Sequence, residues 1–297
     1  VAVWSYWSGA KLLPDTPEGG INVVSAPQGW WWHIPLGGGR FSVGLVTHKD
    51  LYARQRRASA SLEAYYLDRL QESATMRELV AGATRVAPVK AEQDYSYVSS
   101  RFCGPGYMLV GDAACFLDPL LSTGVHLAQY SGMIAAASIA SIARGEVSER
   151  EGGAFFEYVY RRAYMRMLVL VSRMYERYQG ADDYFWQSQK LVHEQARRNA
   201  PIRDFTAITT GLTDIDEAAD ADRRALDRTL MGEAAALQDA RLDGAAPNDI
   251  TALDMHPLFG EWFALEGADS TAERIRLVTE PVLGLRRLEQ APAESAA

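Results

Sequence analysis

Runs of mostly apolar, β-prone residues alternate with polar turn residues in the first part of the chain. The runs are Val1–Gly9, Ile21–Ala26, Trp30–Leu36 and Phe41–Thr47. The segments between them contain Pro, Asp and Gly, which break regular structure. This spacing predicts an antiparallel meander of strands.

The next part of the chain changes to a helical pattern. An amphipathic helix is predicted over Ser59–Glu72, because the residues at i, i+3, i+4, i+7 and i+8 form one stripe. Those residues are Leu62, Tyr65, Tyr66, Arg69 and Leu70. Arg85–Lys90 and Asp94–Arg101 are predicted as two further strands.

A strand, a tight loop and a helix are predicted in the middle of the chain. Tyr107–Val110 is an apolar run that predicts a buried strand of a parallel or mixed sheet. Val125–Ala143 predicts a helix, with Ser122 or Thr123 as its N-cap. Asp112 would then lie at the carboxyl end of the strand, where open α/β sheets bind ligands. The start of the helix would offer free N–H groups to an anion.

The remainder predicts helices and no clear strand. Apolar residues recur every three to four positions from Phe156 to Met174 and mark one buried stripe. Further helices are predicted over Tyr184–Gln195, Ala218–Leu242 and Thr271–Leu277. The predicted fold class is α/β, or α+β for the part present here. The predicted organisation is a substrate-side sheet over 1–106, a ligand-binding strand–loop–helix over 107–145 and a helical region over 146–297.

Composition and charge exclude several functional classes. Lys+Arg 30 against Asp+Glu 38 gives a net charge of −8, so neither a nucleic-acid partner nor an anionic membrane is expected. No apolar stretch of 18 residues, secretory signal pattern or disulfide framework is seen, and a cytoplasmic location is predicted. The five histidines show no metal-ligand spacing, so no metal site is predicted.

Two motifs resemble one family. The loop Gly111-Asp112-Ala113-Ala114, Asp118-Pro119 and Ser122-Thr123-Gly124-Val125-His126-Leu127-Ala128 resembles the second flavin-contacting motif of FAD-dependent monooxygenases, in its halogenase form. Trp30-Trp31-Trp32-His33-Ile34-Pro35 matches the W-x-W-x-I-P motif of flavin-dependent halogenases. The resemblance implies a flavoprotein-monooxygenase-like mixed sheet with the return strand and helix of the FAD domain.

The resemblance also implies roles for particular residues. Flavin contacts would come from Gly111, Asp112, Ala113, Pro119, Gly124 and Val125, with Asp112 accepting hydrogen bonds from ribityl hydroxyls. Chloride or bromide would bind at Thr123 and Gly124. Trp30, Trp32, Ile34 and Pro35 would line the tunnel between flavin and substrate.

Simpler explanations exist for the same residues. Asp112 is also suited to a plain turn after a strand, and Trp30 with Trp32 to a large core pair. His126, in the first helical turn, is more often a packing residue than an acid or base.

Two family features are missing. No G-x-G-x-x-G lies between a strand and a helix, since Gly37-Gly38-Gly39 joins two predicted strands. The lysine that the family uses to guide hypohalous acid has no counterpart at Lys11, Lys49, Lys90 or Lys190. We therefore expect this chain to be the C-terminal two-thirds of a longer protein and to retain flavin poorly by itself.

The predicted function is FAD-dependent halogenation of an electron-rich aromatic group in natural-product biosynthesis. The substrate would be phenolic or pyrrolic, free or tethered to a carrier protein, and a separate flavin reductase would supply reduced FAD. One alternative is an FAD-dependent aromatic hydroxylase. The other is a truncated, non-catalytic protein that only binds a partner.

Overall fold

The computed structural model describes residues 1–93, 96–176, 212–220 and 270–288. The chain divides into two compact units. The first begins with Val1–Asp94 and the second with Tyr95–Met174, and the later parts of the chain are divided between them. The compact units do not test the functional division predicted over 1–106, 107–145 and 146–297, which stays a prediction.

The first unit is built on an antiparallel sheet. Its strands are β1 (Ala2–Ser8), β2 (Asn22–Ala26), β3 (Gly29–Leu36), β4 (Arg40–Thr47), β5 (Thr84–Arg85) and β6 (Lys90–Glu92). The order is β2-β3-β4-β1-β5, with β6 also paired to β1. The predicted meander is confirmed for β2, β3 and β4, whereas β1 lies beside β4.

The strand predicted over Arg85–Lys90 is wrong in extent. Its two ends pair with β1 as β5 and β6, and between them the Val86 amide donates to the Tyr6 carbonyl of β1 at 2.8 Å. Pro88 lies between them and has no N–H to donate to a ladder. The neighbouring carbonyl of Ala87 accepts instead from the Ser5 hydroxyl at 2.8 Å.

Three helices lie between β4 and β5 in the chain, namely α1 (Lys49–Ala58), α2 (Leu62–Glu72) and α3 (Ala74–Leu79). The predicted helix over Ser59–Glu72 is confirmed as α2, which begins after Ser61 because the Ser61 hydroxyl accepts from the amide of Ala64 at 3.0 Å. Tyr66 is fully buried and ties the helix to the sheet: its hydroxyl donates to the Val43 carbonyl at 3.0 Å and accepts from the Trp7 indole at 2.9 Å. Helices α1 and α3 were not predicted.

The second unit combines short strand pairs with longer helices. Its strands are β7 (Tyr97–Val98), β8 (Cys103–Gly104), β9 (Tyr107–Met108), β10 (Cys115–Phe116), β11 (Ile275–Val278) and β12 (Gly284–Arg287). Its helices are α4 (Gly124–Ala143), α5 (Glu149–Glu176), α6 (Leu212–Ala219) and α7 (Ser270–Glu273). Strands pair as β7 with β10, β8 with β9 and β11 with β12, all antiparallel.

Two predicted helices of this unit are confirmed where they are described. Helix α4 matches the prediction for Val125–Ala143, one residue longer at its start. Helix α5 buries Phe156, Tyr160 and Met167, as the predicted stripe requires. Tyr184–Gln195 lies outside the described residues, and Ala218–Leu242 is described only at its start, where α6 ends.

Three predictions in this unit are wrong. Tyr107–Val110 is no buried strand of a parallel sheet: β9 pairs antiparallel with β8, and Tyr107 is 46% exposed. Of the strand predicted over Asp94–Arg101, only β7 forms among the described residues. The helix predicted over Thr271–Leu277 ends at Glu273, because Ile275 and Leu277 alternate into the interior as β11 pairs with β12.

Helix α4 is long and apolar enough to cross a membrane by length and composition, alone among the helices of the described residues. This differs from the expectation that no such stretch exists. Of its apolar window, 44% is buried inside the protein, with Leu127, Ile134 and Ala137 in the interior. A core helix passes the same test, so the apolar composition of α4 is accounted for in part by packing.

Candidate active site

The loop between β9 and α4 contains two short 3₁₀ turns. Gly111–Ala113 forms the first, and Asp112 within it is exposed. Pro119–Leu121 forms the second, where the buried Asp118 carboxylate accepts from the amide of Leu120 at 2.8 Å. Proline at the first position of this turn has the φ angle that the turn needs. The loop is therefore shaped by local hydrogen bonds that leave the Asp112 side chain on the surface.

Gly111 anchors the loop through its backbone. Its amide donates to the Ser131 hydroxyl at 2.9 Å, and its carbonyl accepts from the Tyr160 hydroxyl at 3.0 Å. Its φ of 55° lies in the left-handed region, and an added Cβ would lie 3.2 Å from the Cβ of Ala128. Burial raises the pKa of Tyr160, so its phenol stays protonated as a donor. Gly111 thus fixes the point from which Asp112 projects.

Helix α4 begins without a side-chain cap. Ser122 is left-handed, with φ 53°, and Thr123 at the N-cap position has helical φ and ψ and no capping bond. The prediction that the Ser122 or Thr123 side chain caps this helix is therefore wrong, because the hydroxyl of a residue with these angles is not presented to the first turn. The first N–H groups of α4 have no partner within the helix.

The Thr123 hydroxyl is a buried polar group without a hydrogen-bond partner. Thr123 is 1% exposed, and its Oγ1 atom contacts no donor or acceptor among the described residues. Leaving a buried hydroxyl unsatisfied costs about 1–3 kcal/mol. Next to it Gly124 is exposed, and an added Cβ there would meet nothing within 4 Å. The helix start therefore combines an unsatisfied hydroxyl, free amides and open space.

The loop brings the predicted flavin and halide residues together on one segment of the second unit. The exposed members are Asp112, Ala113, Pro119, Gly124 and Val125, and the buried members are Gly111 and Thr123. Val125, the second residue of α4, is 71% exposed. These residues lie on one stretch of the chain, 111–125, and their roles toward flavin and halide stay predictions.

The tryptophan motif lies on β3 in the first unit. The Trp30 and Trp32 rings are 6.2 Å apart between centroids and tilted by 58°, on one face of the strand. The Trp32 indole donates to the Ser42 hydroxyl at 3.0 Å. It lies so close over Gly44 that a Cβ there would approach the ring to 2.2 Å. A glycine on β4 therefore makes the space for this indole.

The other face of β3 belongs to the core. Trp31 is fully buried against Tyr66, with ring centroids 5.6 Å apart, and His33 packs on Phe41 at 4.8 Å. These two residues occupy the variable places of the motif. Trp31 therefore packs in the core of the first unit, while Trp30, Trp32 and Ile34 share the opposite face, on which Trp30 is also buried and Ile34 is half-buried. Pro35, also half-buried, follows on the face of Trp31 and His33.

A cluster of ionised groups near the start of α4 was not predicted. The His126 Nε2 atom lies 2.6 Å from the Asp214 carboxylate on α6, and Arg166 on α5 pairs with both Asp214 and Glu217. The Tyr130 hydroxyl donates to the Asp214 carbonyl at 3.2 Å. Burial, and then the charge of Arg166, lowers the pKa of His126. The only sequence signal is the helical spacing of Asp214 and Glu217, which does not indicate their partners.

No group of three His, Cys, Asp or Glu side chains in the described part of the chain could hold a metal ion. The thiols of Cys103 and Cys115 are free. Burial raises the pKa of each thiol to about 12, so neither is a thiolate nucleophile at neutral pH.

Two solved structures of flavin-dependent halogenases share this fold. The myxobacterial chondrochloren halogenase CndH, described as a variant of FAD-dependent halogenases, superposes with a TM-score of 0.57 at 34% identity, over 71% of this chain and 49% of that one. The flavin-dependent halogenase CmlS superposes with a TM-score of 0.56 at 31% identity, over 68% of this chain and 38% of that one. This chain therefore shares its fold with flavin-dependent halogenases, and the predicted α/β class is confirmed.

The family follows from the sequence match. Residues 13–217 match the family model for tryptophan halogenase, and the chain belongs to that family. Tryptophan 2-halogenase of Chondromyces crocatus is 40% identical over 229 residues, 75% of this chain and 44% of that protein. Flavin-dependent halogenase ascD of Acremonium egyptiacum is 40% identical over 183 residues, 59% of this chain and 33% of that protein. The chain spans less than half the length of these relatives.

These comparisons confirm the predicted family of flavin-dependent halogenases, which are oxidoreductases that use FAD and a halide. The relatives' names do not specify a phenolic, pyrrolic or carrier-tethered substrate for this chain. The roles of individual residues also stay predictions.

Proposed function

We propose that the protein carrying this chain is an FAD-dependent halogenase that chlorinates or brominates an electron-rich aromatic ring. One observation is decisive for the proposal: the buried, unsatisfied Thr123 hydroxyl lies next to the uncapped start of α4 and the open space at Gly124. A halide ion accepts hydrogen bonds from hydroxyl and amide donors together. Binding it here would satisfy a group that otherwise costs stability.

The residues present fit FAD. Asp112 is exposed and, as a carboxylate, only accepts hydrogen bonds, which suits the ribityl hydroxyls. Gly111 holds that loop in place, and Ala113, Pro119 and Val125 provide the surrounding contact surface. Bound reduced FAD supplies, with oxygen, the oxidising power for halide oxidation. The positive end of α4 would stabilise negative charge on the cofactor and hold the halide beside it.

Trp30 and Trp32 would separate the substrate from the flavin. Together their indoles cover a large area on one strand face, and Gly44 with Ser42 fixes the position of Trp32. An aromatic substrate kept away from the flavin is halogenated by the oxidised halogen species and is not hydroxylated by the flavin itself. Ile34 and Pro35 would complete the wall at the end of β3.

For the substrate we propose a phenol or pyrrole, free or tethered to a carrier protein. Such rings are electron-rich enough to react with an electrophilic halogen. A separate flavin reductase would deliver the reduced cofactor. A cytoplasmic location fits this partner, and the buried free thiols fit a reducing compartment.

The experiment replaces Gly124 with Val in the intact protein, with Gly132→Val as matched control. Gly132 lies eight residues further along the same helix, and its Cβ position is equally open. We expect Gly124→Val to lower halogenated product steeply while peroxide formation continues, because a β-branched side chain would fill the halide position. The control should retain product. Halogenated product is measured by mass and peroxide by a coupled assay during a halide titration.

The outcomes separate the proposal from its alternatives. Equal halogenation by Gly124→Val and the parent at low halide would contradict the anion site. Loss of FAD binding in Gly124→Val would show a broken loop and no specific halide defect. Halide-independent oxygenation of a phenol by the parent would favour the hydroxylase, and no turnover of any aromatic would favour a non-catalytic protein.

A further inference from the structure

We propose that His126 and Asp214 position the first turn of α4 for halide binding. The inference rests on the proposed halogenase function and deepens it, because it pairs His126, which lies within the loop motif without an assigned role, with Asp214, which lies outside both motifs. Neither residue touches the substrate or the cofactor in this proposal. Both act by holding the backbone that presents the amide groups.

The contacts attach α6 to the first turns of α4. The His126 Nε2 atom is 2.6 Å from the Asp214 Oδ2 atom, and the Tyr130 hydroxyl donates to the Asp214 carbonyl at 3.2 Å. His126 and Tyr130 are four residues apart, so both lie on one face of α4. One residue of α6 therefore contacts two consecutive turns at the start of α4.

Asp214 is itself held firmly. Its side chain is 1% exposed, and the Arg166 guanidinium of α5 pairs with its other oxygen. Arg166 is 2% exposed and pairs in addition with Glu217 on the same short helix. A buried carboxylate shared between a guanidinium and an imidazole has little freedom to move. Through Asp214 and Arg166, the His126 ring is thus connected to α5, the longest helix of the described residues.

The start of α4 depends on this contact because it lacks a side-chain cap. Thr123 makes no side-chain cap, and Ser122 before it is left-handed. Helix ends without caps fray within the first turn. His126 comes two residues after Gly124, inside this first turn. Its bond to Asp214 therefore restrains the segment whose amides and Thr123 hydroxyl form the proposed halide site.

The test compares three variants of the intact protein. His126→Ala removes the bond to Asp214 and leaves the Arg166–Asp214 pair in place. His126→Gln can present an amide N–H near the Nε2 position and should restore the bond. Glu217→Gln is the matched control, since it alters the same cluster but leaves His126 bound to Asp214.

We expect His126→Ala to raise the KM for bromide or chloride about tenfold, the change that corresponds to about 1.4 kcal/mol. The kcat at saturating halide and the FAD affinity should change little, while the melting temperature should fall because the buried Asp214 carboxylate loses one partner. His126→Gln should show a KM close to that of the parent, and Glu217→Gln should leave the KM unchanged.

Each result supports or overturns the inference. A parent that makes no halide-dependent product contradicts the proposed function itself. A parent that halogenates, with a halide KM unaltered in His126→Ala, overturns only the positioning role. An equal rise in KM in Glu217→Gln, or a rise in His126→Gln as large as in His126→Ala, would point to general loosening and also overturn it. If His126→Ala does not fold, His126→Leu takes its place, because it also removes the bond to Asp214 but keeps more of the side-chain volume, and the same criteria apply.

Discussion

The buried imidazole of His33 should make the protein less stable in mild acid. Burial lowers the pKa of His33 from 6.5 to about 4. Its side chain is fully buried, and neither ring nitrogen has a hydrogen-bond partner among the described residues. The folded state therefore holds the neutral ring, while the unfolded chain binds a proton below pH 6.5.

The sign and size of the effect follow from proton linkage. Between pH 6.5 and 4 the unfolded state binds more protons, so the free energy of unfolding falls as the pH falls through this window. A pKa of about 4 against 6.5 corresponds to about 3 kcal/mol once the pH is below both values. Between pH 7 and pH 5 the His33 contribution should be about 2 kcal/mol. Above pH 6.5 it should vanish.

The assay is urea unfolding of the parent and of His33→Leu at pH 7, 6 and 5. Leucine cannot titrate, and it loses no hydrogen bond because the imidazole makes none in the described structure. The difference between the two proteins isolates His33, since all other titrating groups are common to both. We expect the variant to gain about 2 kcal/mol relative to the parent on going from pH 7 to pH 5. A difference that is constant with pH would refute the reasoning.

Two further predictions concern the loop and the tryptophan face. Tyr160→Phe should weaken FAD binding and lower the free energy of unfolding by about 1–3 kcal/mol, because it leaves the buried Gly111 carbonyl without its donor. Flavin fluorescence titration measures the FAD affinity, and urea unfolding measures the stability. An unchanged FAD affinity would contradict the anchoring role of Tyr160. Gly44→Ala should cost about 1–3 kcal/mol of unfolding free energy, because its Cβ would collide with the Trp32 ring. That cost should shrink in a Trp32→Ala background, and an equal cost in both backgrounds would contradict the contact.

Local patterns were sufficient for the elements that depend on neighbouring residues. Strands β2, β3 and β4 were predicted because each run is β-prone and each connection is short. The stripe of α5 was predicted because helical spacing is a local property. In the same way, the tryptophan motif and the loop before α4 could be recognised from consecutive residues.

Features that depend on distant residues could not be predicted. β1 pairs with β4, whose residues are 32–44 positions further along the chain, and the local sequence does not show this pairing. β11 is a strand because it pairs with β12. The bond between His126 and Asp214 joins residues 88 positions apart. The unsatisfied Thr123 hydroxyl was missed for a related reason: serine or threonine before a helix predicts a cap, and only the backbone angles show that no cap forms.

Three consecutive tryptophans on β3 have a consequence for how the sheet is aligned. A shift of β3 by one residue would exchange its two faces, yet a tryptophan would still occupy each face. Aromatic bulk alone therefore does not penalise the shifted alignment. The alignment is favoured instead by the short connection through Pro27 and Gln28, which pairs Ala26 with Gly29, and by Gly44, which has room for the Trp32 indole opposite it. Pro35, which cannot donate to the ladder, adds to this preference. A one-residue insertion in that connection would thus move Trp31 to the face now occupied by Trp30 and Trp32, and those two to the core face, while leaving the composition of the strand unchanged.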